Sequence, residues 1–191
     1  MVNCEKKIMS YSYKNRNTKR NYRRNFIFLM VASIVQSCSF PLNAKELDSI
    51  GSVTGLPLPR YVSLKVSKAN VRRGPGTTYK IDWVYNQKGF PVVITAEYGI
   101  WRRVEDFEGF GGWVHSRLLS GIRTVIFLPK TIILKSRPSL SSQGLAYINK
   151  GVVAVLKETS KDWCRVSIKG KTGWVPKQAV WGIFLEEVTK I

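Results

Sequence analysis

Trp101 and Trp163 have the most to offer a ligand, since each opens a Trp-x-Arg-Val run: Trp101-Arg-Arg-Val104 and Trp163-Cys-Arg-Val166. Read as strands, these runs alternate between two faces. Cys164, Val166 and Ile168 share an apolar face that belongs to a core, while Trp163 lies on the other. The same alternation sets Trp101 and Arg103 away from the core. An indole outside the core, beside guanidinium groups, is a platform for stacking on a sugar or a peptide. Arg72 and Arg73 are adjacent and suit a bidentate grip on a carboxylate. The competing reading, preferred for Arg72, is that its guanidinium ties the carbonyls of its own turn. His115, the one histidine of the chain, is a candidate ligand contact, with capping of a turn as the alternative.

The same side chains argue against catalysis. A hydrolytic Cys-His pair would have to join Cys164 to His115, which stands in the other half of the pattern. On a core face a free cysteine acts as a small hydrophobe. Glu105, Asp106 and Glu108 cluster before Gly109, yet one loop holds all three, with no second group to divide acid and base roles. No Cys/His spacing fits zinc. The expectation is a protein without catalytic residues, metal or cofactor.

The elements that must hold the tryptophans are written twice. Gly89, Trp101 and Gly112-Trp113-Val114 recur as Gly151, Trp163 and Gly173-Trp174-Val175, with a glycine-to-tryptophan spacing of twelve in both. Self-similarity at about sixty residues means tandem copies of one small domain. Short apolar runs such as Val92-Val93-Ile94 and Val152 to Leu156 are of strand length, separated by Gly, Pro or charged turns. After residue 44 no helical period of ten or more residues occurs. The fold class is therefore all-β: two tandem small barrels, over 61–122 and 123–185. Residues 45–60, with Gly and Pro interruptions and no period, read as a linker, and 186–191 as a tail. Gly74-Pro75-Gly76 predicts a tight turn after the first strands.

Residues 1–44 follow a different plan. A basic stretch over 1–24 precedes the uncharged run Phe26 to Val35, and a small-residue zone ends at Pro41-Leu-Asn-Ala44. That layout is a secretory signal peptide cleaved after Ala44. Two alternatives stand beside it: an uncleaved membrane anchor through 26–40, and a lipoprotein box at Val35-Gln36-Ser37-Cys38 with lipid on Cys38. The whole chain has 31 Lys and Arg against 12 Asp and Glu, and removing 1–44 leaves 23 against 11, a net charge of +12. Such a surface attracts polyanions and responds to salt.

Asn70-Val-Arg-Arg-Gly-Pro-Gly76, the Gly89 turn, the Trp-x-x-Val strand and the Gly-Trp-Val closing strand together resemble the bacterial SH3 (SH3b-type) domain. The resemblance is full over 61–120 and weaker over 123–182, where Lys135 and Arg137 replace Arg72 and Gly74 and only Pro138 of the turn remains. The stretch from Leu56 to Ile122 is similar also to a family of exported SH3-like proteins from Gram-negative bacteria. That similarity implies a periplasmic place and a wall-related role, without an assigned activity. In peptide-binding SH3 domains the closing block, Gly-aromatic-Ile/Val-Pro, is followed by a tyrosine that completes a polyproline groove. Gly173-Trp-Val-Pro176 matches it, but Ala179 stands at the tyrosine position, and His115 and Leu118 replace proline and tyrosine in the first copy. Proline-rich ligands are not expected, and Pro176 is kept as a groove residue of altered chemistry.

The expectation is thus an exported, non-catalytic protein of two SH3b-type barrels that binds peptidoglycan or another envelope polyanion, and not nucleic acid. Trp101, Trp163, Arg72, Arg73, Arg103, His115 and Pro176 are the candidate contacts. The alternative is an adaptor that docks a periplasmic partner protein.

Overall fold

The glycines that punctuate the repeat do so because backbone must turn or pass close there. Gly89 and Gly151 have φ of 76° and 80°, which a side chain disfavours. Their N–H groups each donate to the carbonyl of a strand residue, Leu64 and Phe127, at 2.8 Å in both copies. A Cβ on Gly112 would lie 2.8 Å from the Arg72 carbonyl oxygen, and one on Gly173 would lie 2.8 Å from that of Lys135. The Gly of each Gly-Trp-Val is where one strand passes tightly against the backbone of its sheet neighbour.

A computed structural model of the chain describes residues 49–190. The expectations for 1–44 lie outside the described residues. Barrel one contains β3 (Arg60–Leu64), β4 (Ala69–Arg72), β5 (Ile81–Tyr85), β6 (Pro91–Tyr98), β7 (Trp101–Glu105), β8 (Gly111–His115) and β9 (Leu119–Ser120), after a hairpin of β1 (Ser49–Ile50) and β2 (Pro57–Leu58). Barrel two contains β10 (Thr124–Phe127), β11 (Thr131–Lys135), β12 (Gly144–Asn149), β13 (Val153–Thr159), β14 (Trp163–Ile168), β15 (Lys171–Pro176) and β16 (Val180–Trp181), followed by β17 (Thr189–Lys190). The strand orders are 5, 4, 8, 7, 6, 3, 9 and 12, 11, 15, 14, 13, 10, 16. The second is the first with every number raised by seven. Even the irregularities repeat: the register shifts between Ile94 and Ala96 in β6 and between Leu156 and Glu158 in β13. A single 3₁₀ turn joins β8 to β9 and another joins β15 to β16.

Alternation places the cores as expected. Val62, Leu64, Val71, Val92, Ile94, Val104 and Val114 fill barrel one. Val125, Phe127, Leu134, Leu156, Cys164, Val166 and Val175 fill barrel two. Each such side chain contributes roughly 1.5–3 kcal/mol when fully removed from water.

Two edges differ from the expectation. The stretch read as a linker is the β1–β2 hairpin, whose loop closes over Glu97 of β6. The Glu97 carboxylate accepts from the Val53 and Thr54 amides, both at 3.0 Å, from Thr54 Oγ1 at 2.7 Å, and from Arg60. Gly51 lies against the same carboxylate, 2.6 Å from where its Cβ would stand. The stretch read as a tail also holds a strand, for β17 pairs with β13 at Glu158 and Thr159. Neither feature has a period because each is made by a partner elsewhere in the chain.

The barrels belong to one compact unit. Tyr61 meets Trp181 edge-on at 5.1 Å and Phe184 at 4.7 Å. Arg123 stands over the Tyr61 ring and is paired with both oxygens of Glu187 at 3.0 Å. Thr124 Oγ1 donates to the carbonyl of Gly89 at 2.7 Å. Gly182 makes this join possible, since a Cβ there would sit 2.4 Å from the Thr124 oxygen.

Candidate functional site

Each barrel presents a cleft at the same place. Three elements build it: the loop after the barrel's second strand, the start of the Trp-x-x-Val strand, and the 3₁₀ turn after Gly-Trp-Val. In barrel one these bring together Arg72, Thr77, Trp101, His115, Arg117 and Leu118, with Asn70, around a volume of about 320 Å³. In barrel two they bring together Ser139, Leu140, Ser141, Asp162, Trp163, Pro176 and Gln178 around about 660 Å³. Trp101 corresponds to Trp163, His115 to Pro176, and Arg117 to Gln178.

The loop that walls each cleft is fixed by one cation. Arg72 Nη1 donates to the carbonyls of Thr77 at 2.8 Å and Tyr79 at 2.7 Å. In barrel two Lys135 Nζ donates to the carbonyls of Leu140 at 2.8 Å and Ser142 at 2.9 Å. Gly74 packs flat against the Tyr79 ring, with 2.5 Å between its Cβ position and the ring carbons. Barrel two has no such ring and holds its loop with serine hydroxyls instead: Ser142 Oγ donates to the carbonyls of Arg137 and Ser139, both at 2.9 Å.

Five of the seven candidate residues line the clefts: Arg72, Trp101 and His115 in the first, Trp163 and Pro176 in the second. Arg73 does not. Its side chain turns to Asp82 at 2.7 Å, so it forms no clamp with Arg72, whose guanidinium is bound to the loop. Arg72 is the last residue of β4 and Arg73 the first of the loop beyond it, so the adjacent pair diverges. Arg103 also stays outside, on the outer face of β7, with Glu105 at 3.9 Å.

Trp101 is a further correction. It does lie off the core face, but only 8% of it is exposed, because the His115 ring packs against it edge-on at 5.5 Å. It forms the wall of a cleft rather than an open platform. Trp163, with Pro176 in place of the imidazole, is more exposed. His115 caps the 3₁₀ turn, its Nδ1 accepting from the Arg117 N–H at 3.1 Å. That bond assigns the ring hydrogen to Nε2. Cys164 is fully buried. Burial drives its thiol pKa up to about 12 against the opposing pull of the Lys177 ammonium.

Sequence reasoning missed Asn70, Thr77, Arg117, Leu118, Ser139, Leu140, Ser141, Asp162 and Gln178. Arg117 and Gln178 had a signal, since each stands two residues after a candidate, His115 or Pro176. The loop residues had none, because only the folded loop carries them to the tryptophan. Among the described residues no group of three or more His, Cys, Asp or Glu is placed to hold a metal.

Comparisons with known proteins agree with this architecture. The family model described as the bacterial SH3 domain matches residues 65–121 and 129–182, together more than half of the chain. A Bacillus subtilis (strain 168) protein provisionally named N-acetylmuramoyl-L-alanine amidase YrvJ is 26% identical over 168 residues, covering 82% of this chain. The chain spans 30% of that relative's length. Two Trichomonas vaginalis structures, of NlpC2 and NlpC1, match at 12% identity and a TM-score of 0.31 each. They cover 64% and 69% of this chain and 47% and 49% of their own, a likeness too slight to carry an argument.

Proposed function

The chain belongs to the bacterial SH3 domain family, and from that premise we propose an exported, non-catalytic protein that binds peptidoglycan or another anionic polymer of the cell envelope. The observation that carries this reading is the repeated cleft: an indole wall, a polar loop and a 3₁₀ turn at equivalent places in two barrels of a strongly basic chain. Basic side chains give long-range capture, and the clefts give short-range contact. Two weak sites on one chain raise retention on a repeating polymer by avidity. A relative named as an N-acetylmuramoyl-L-alanine amidase is consistent with such a ligand.

A second reading, docking of a periplasmic partner protein, draws on the outer face of β11 and β12, where Ile133, Leu145 and Tyr147 are exposed. A pull-down with purified lipid-free sacculi decides between them. The protein is expected to bind at low salt, to release as salt rises, and to lose most binding in a Trp163→Ala/Arg117→Ala variant. Retention by the variant would reduce the effect to bulk charge. No binding at low salt would put the partner-protein reading first.

A further inference from the structure

The two clefts share a backbone frame but not a charge. Three equivalent positions carry the difference. Arg117 in the first cleft is Gln178 in the second, His115 is Pro176, and Ile100 of barrel one corresponds to Asp162 of barrel two. No acidic side chain lines the first cleft and no basic one lines the second.

We propose that the clefts divide their ligand by charge: the first takes a carboxylate-bearing group and the second an ammonium-bearing one. The proposal rests on the reading of these clefts as binding sites for a wall polymer, and names the chemistry each selects. In the first cleft the available groups are hydrogen-bond donors. The Arg117 guanidinium is exposed and has no ion pair among the described residues. His115 has its Nδ1 occupied, so Nε2–H is left to donate. The Asn70 amide and Thr77 hydroxyl add neutral donors, and Arg72 adds positive charge while its Nη1 holds the loop. Donors converging beside a cation are what a carboxylate requires.

In the second cleft the charged group is an acceptor. Asp162 has no ion pair among the described residues, and Gln178 and the Ser139 and Ser141 hydroxyls, hydrogen-bonded to each other at 3.0 Å, line the same cleft and can accept as well as donate. The Trp163 ring adds a π face, to which an ammonium is attracted and a carboxylate is not. Two cations of the surrounding frame are turned to backbone carbonyls. Lys135 is held to the carbonyls of Leu140 and Ser142 behind the loop, and Lys177, 2% exposed, is turned to those of Leu185 and Glu187. A net charge of +12 over 45–191 on its own would make both clefts favour anions, so a preference for ammonium in the second is set by local geometry.

Two dipeptide probes separate the charges: N-acetyl-alanyl-alanine, which has only the carboxylate, and alanyl-alanine amide, which has only the ammonium. Titrations of the whole protein are followed at the indole N–H resonances of Trp101 and Trp163. The acid is expected to move Trp101 and leave Trp163. The amide is expected to do the reverse. Arg117→Ala should weaken the acid, and Asp162→Asn the amine, by roughly five- to tenfold each, without crossing over. Both probes acting at one indole, or equal shifts at both, would overturn the division. So would silence from both probes in a protein that still binds sacculi. A protein that fails to bind sacculi at all overturns the underlying wall reading instead.

Discussion

Glu97 holds a buried charge in barrel one. Its carboxylate has no exposed surface. Burial by itself would raise its pKa, but the hydrogen bonds from Thr54, Arg60 and the Val53 amide prevail and hold it down to about 2. A carboxyl depressed in the fold stabilises the fold above its unfolded pKa and ceases to do so as acid protonates it. The β1–β2 hairpin should therefore be fully anchored above about pH 4.5 and released as pH falls toward about 2. Protection factors for the Val53 and Thr54 amides, measured by hydrogen exchange, should fall through that window. Glu97→Gln should remove that protection at every pH and lower stability by about 1.5–3 kcal/mol. Amides that stay protected at pH 2 would show that the hairpin does not depend on the charge.

At the scale of elements, the Gly-Trp-Val motif marks a close approach of paired strands, so its glycine is the place to test the barrel. Gly112→Ala and Gly173→Ala each drive a methyl onto a backbone carbonyl 2.8 Å away and should cost about 1–3 kcal/mol in urea unfolding. Gly121→Ala meets nothing within 4 Å and should stay within about 0.5 kcal/mol of the parent. Equal midpoints for all three would contradict the close approach. The strands of both barrels were legible because alternation and turn glycines are local. The hairpin over 49–58 and β17 were not, since a two-residue strand has no period and exists only through Glu97 or β13. Alternation likewise gave the face of Trp101 but not its cover, which comes from His115 on a neighbouring strand. Of the clefts, the strand and turn residues were within reach of sequence and the loop residues were not.

At the scale of the whole molecule, the join between the barrels is made of the ring contacts of Tyr61, the Arg123 guanidinium over that ring and the Thr124–Gly89 hydrogen bond, and it should make them unfold together. Calorimetry is expected to show a single transition. A double-mutant cycle on Tyr61→Ala and Trp181→Ala should give a coupling of about 0.5–1.5 kcal/mol. Two separate transitions with no coupling would mean independent barrels. The partners of Tyr61 are Trp181 and Phe184, over a hundred residues away, and had no signature in the sequence to announce them. This join has a consequence for what the clefts can measure. On the proposed reading of the clefts as binding sites, one packed seam would hold them at a set separation, like the jaws of a caliper. A polymer whose recognisable groups recur at that separation would then be gripped twice, and one with a different period only once, so ligands would be sorted by length as well as by kind.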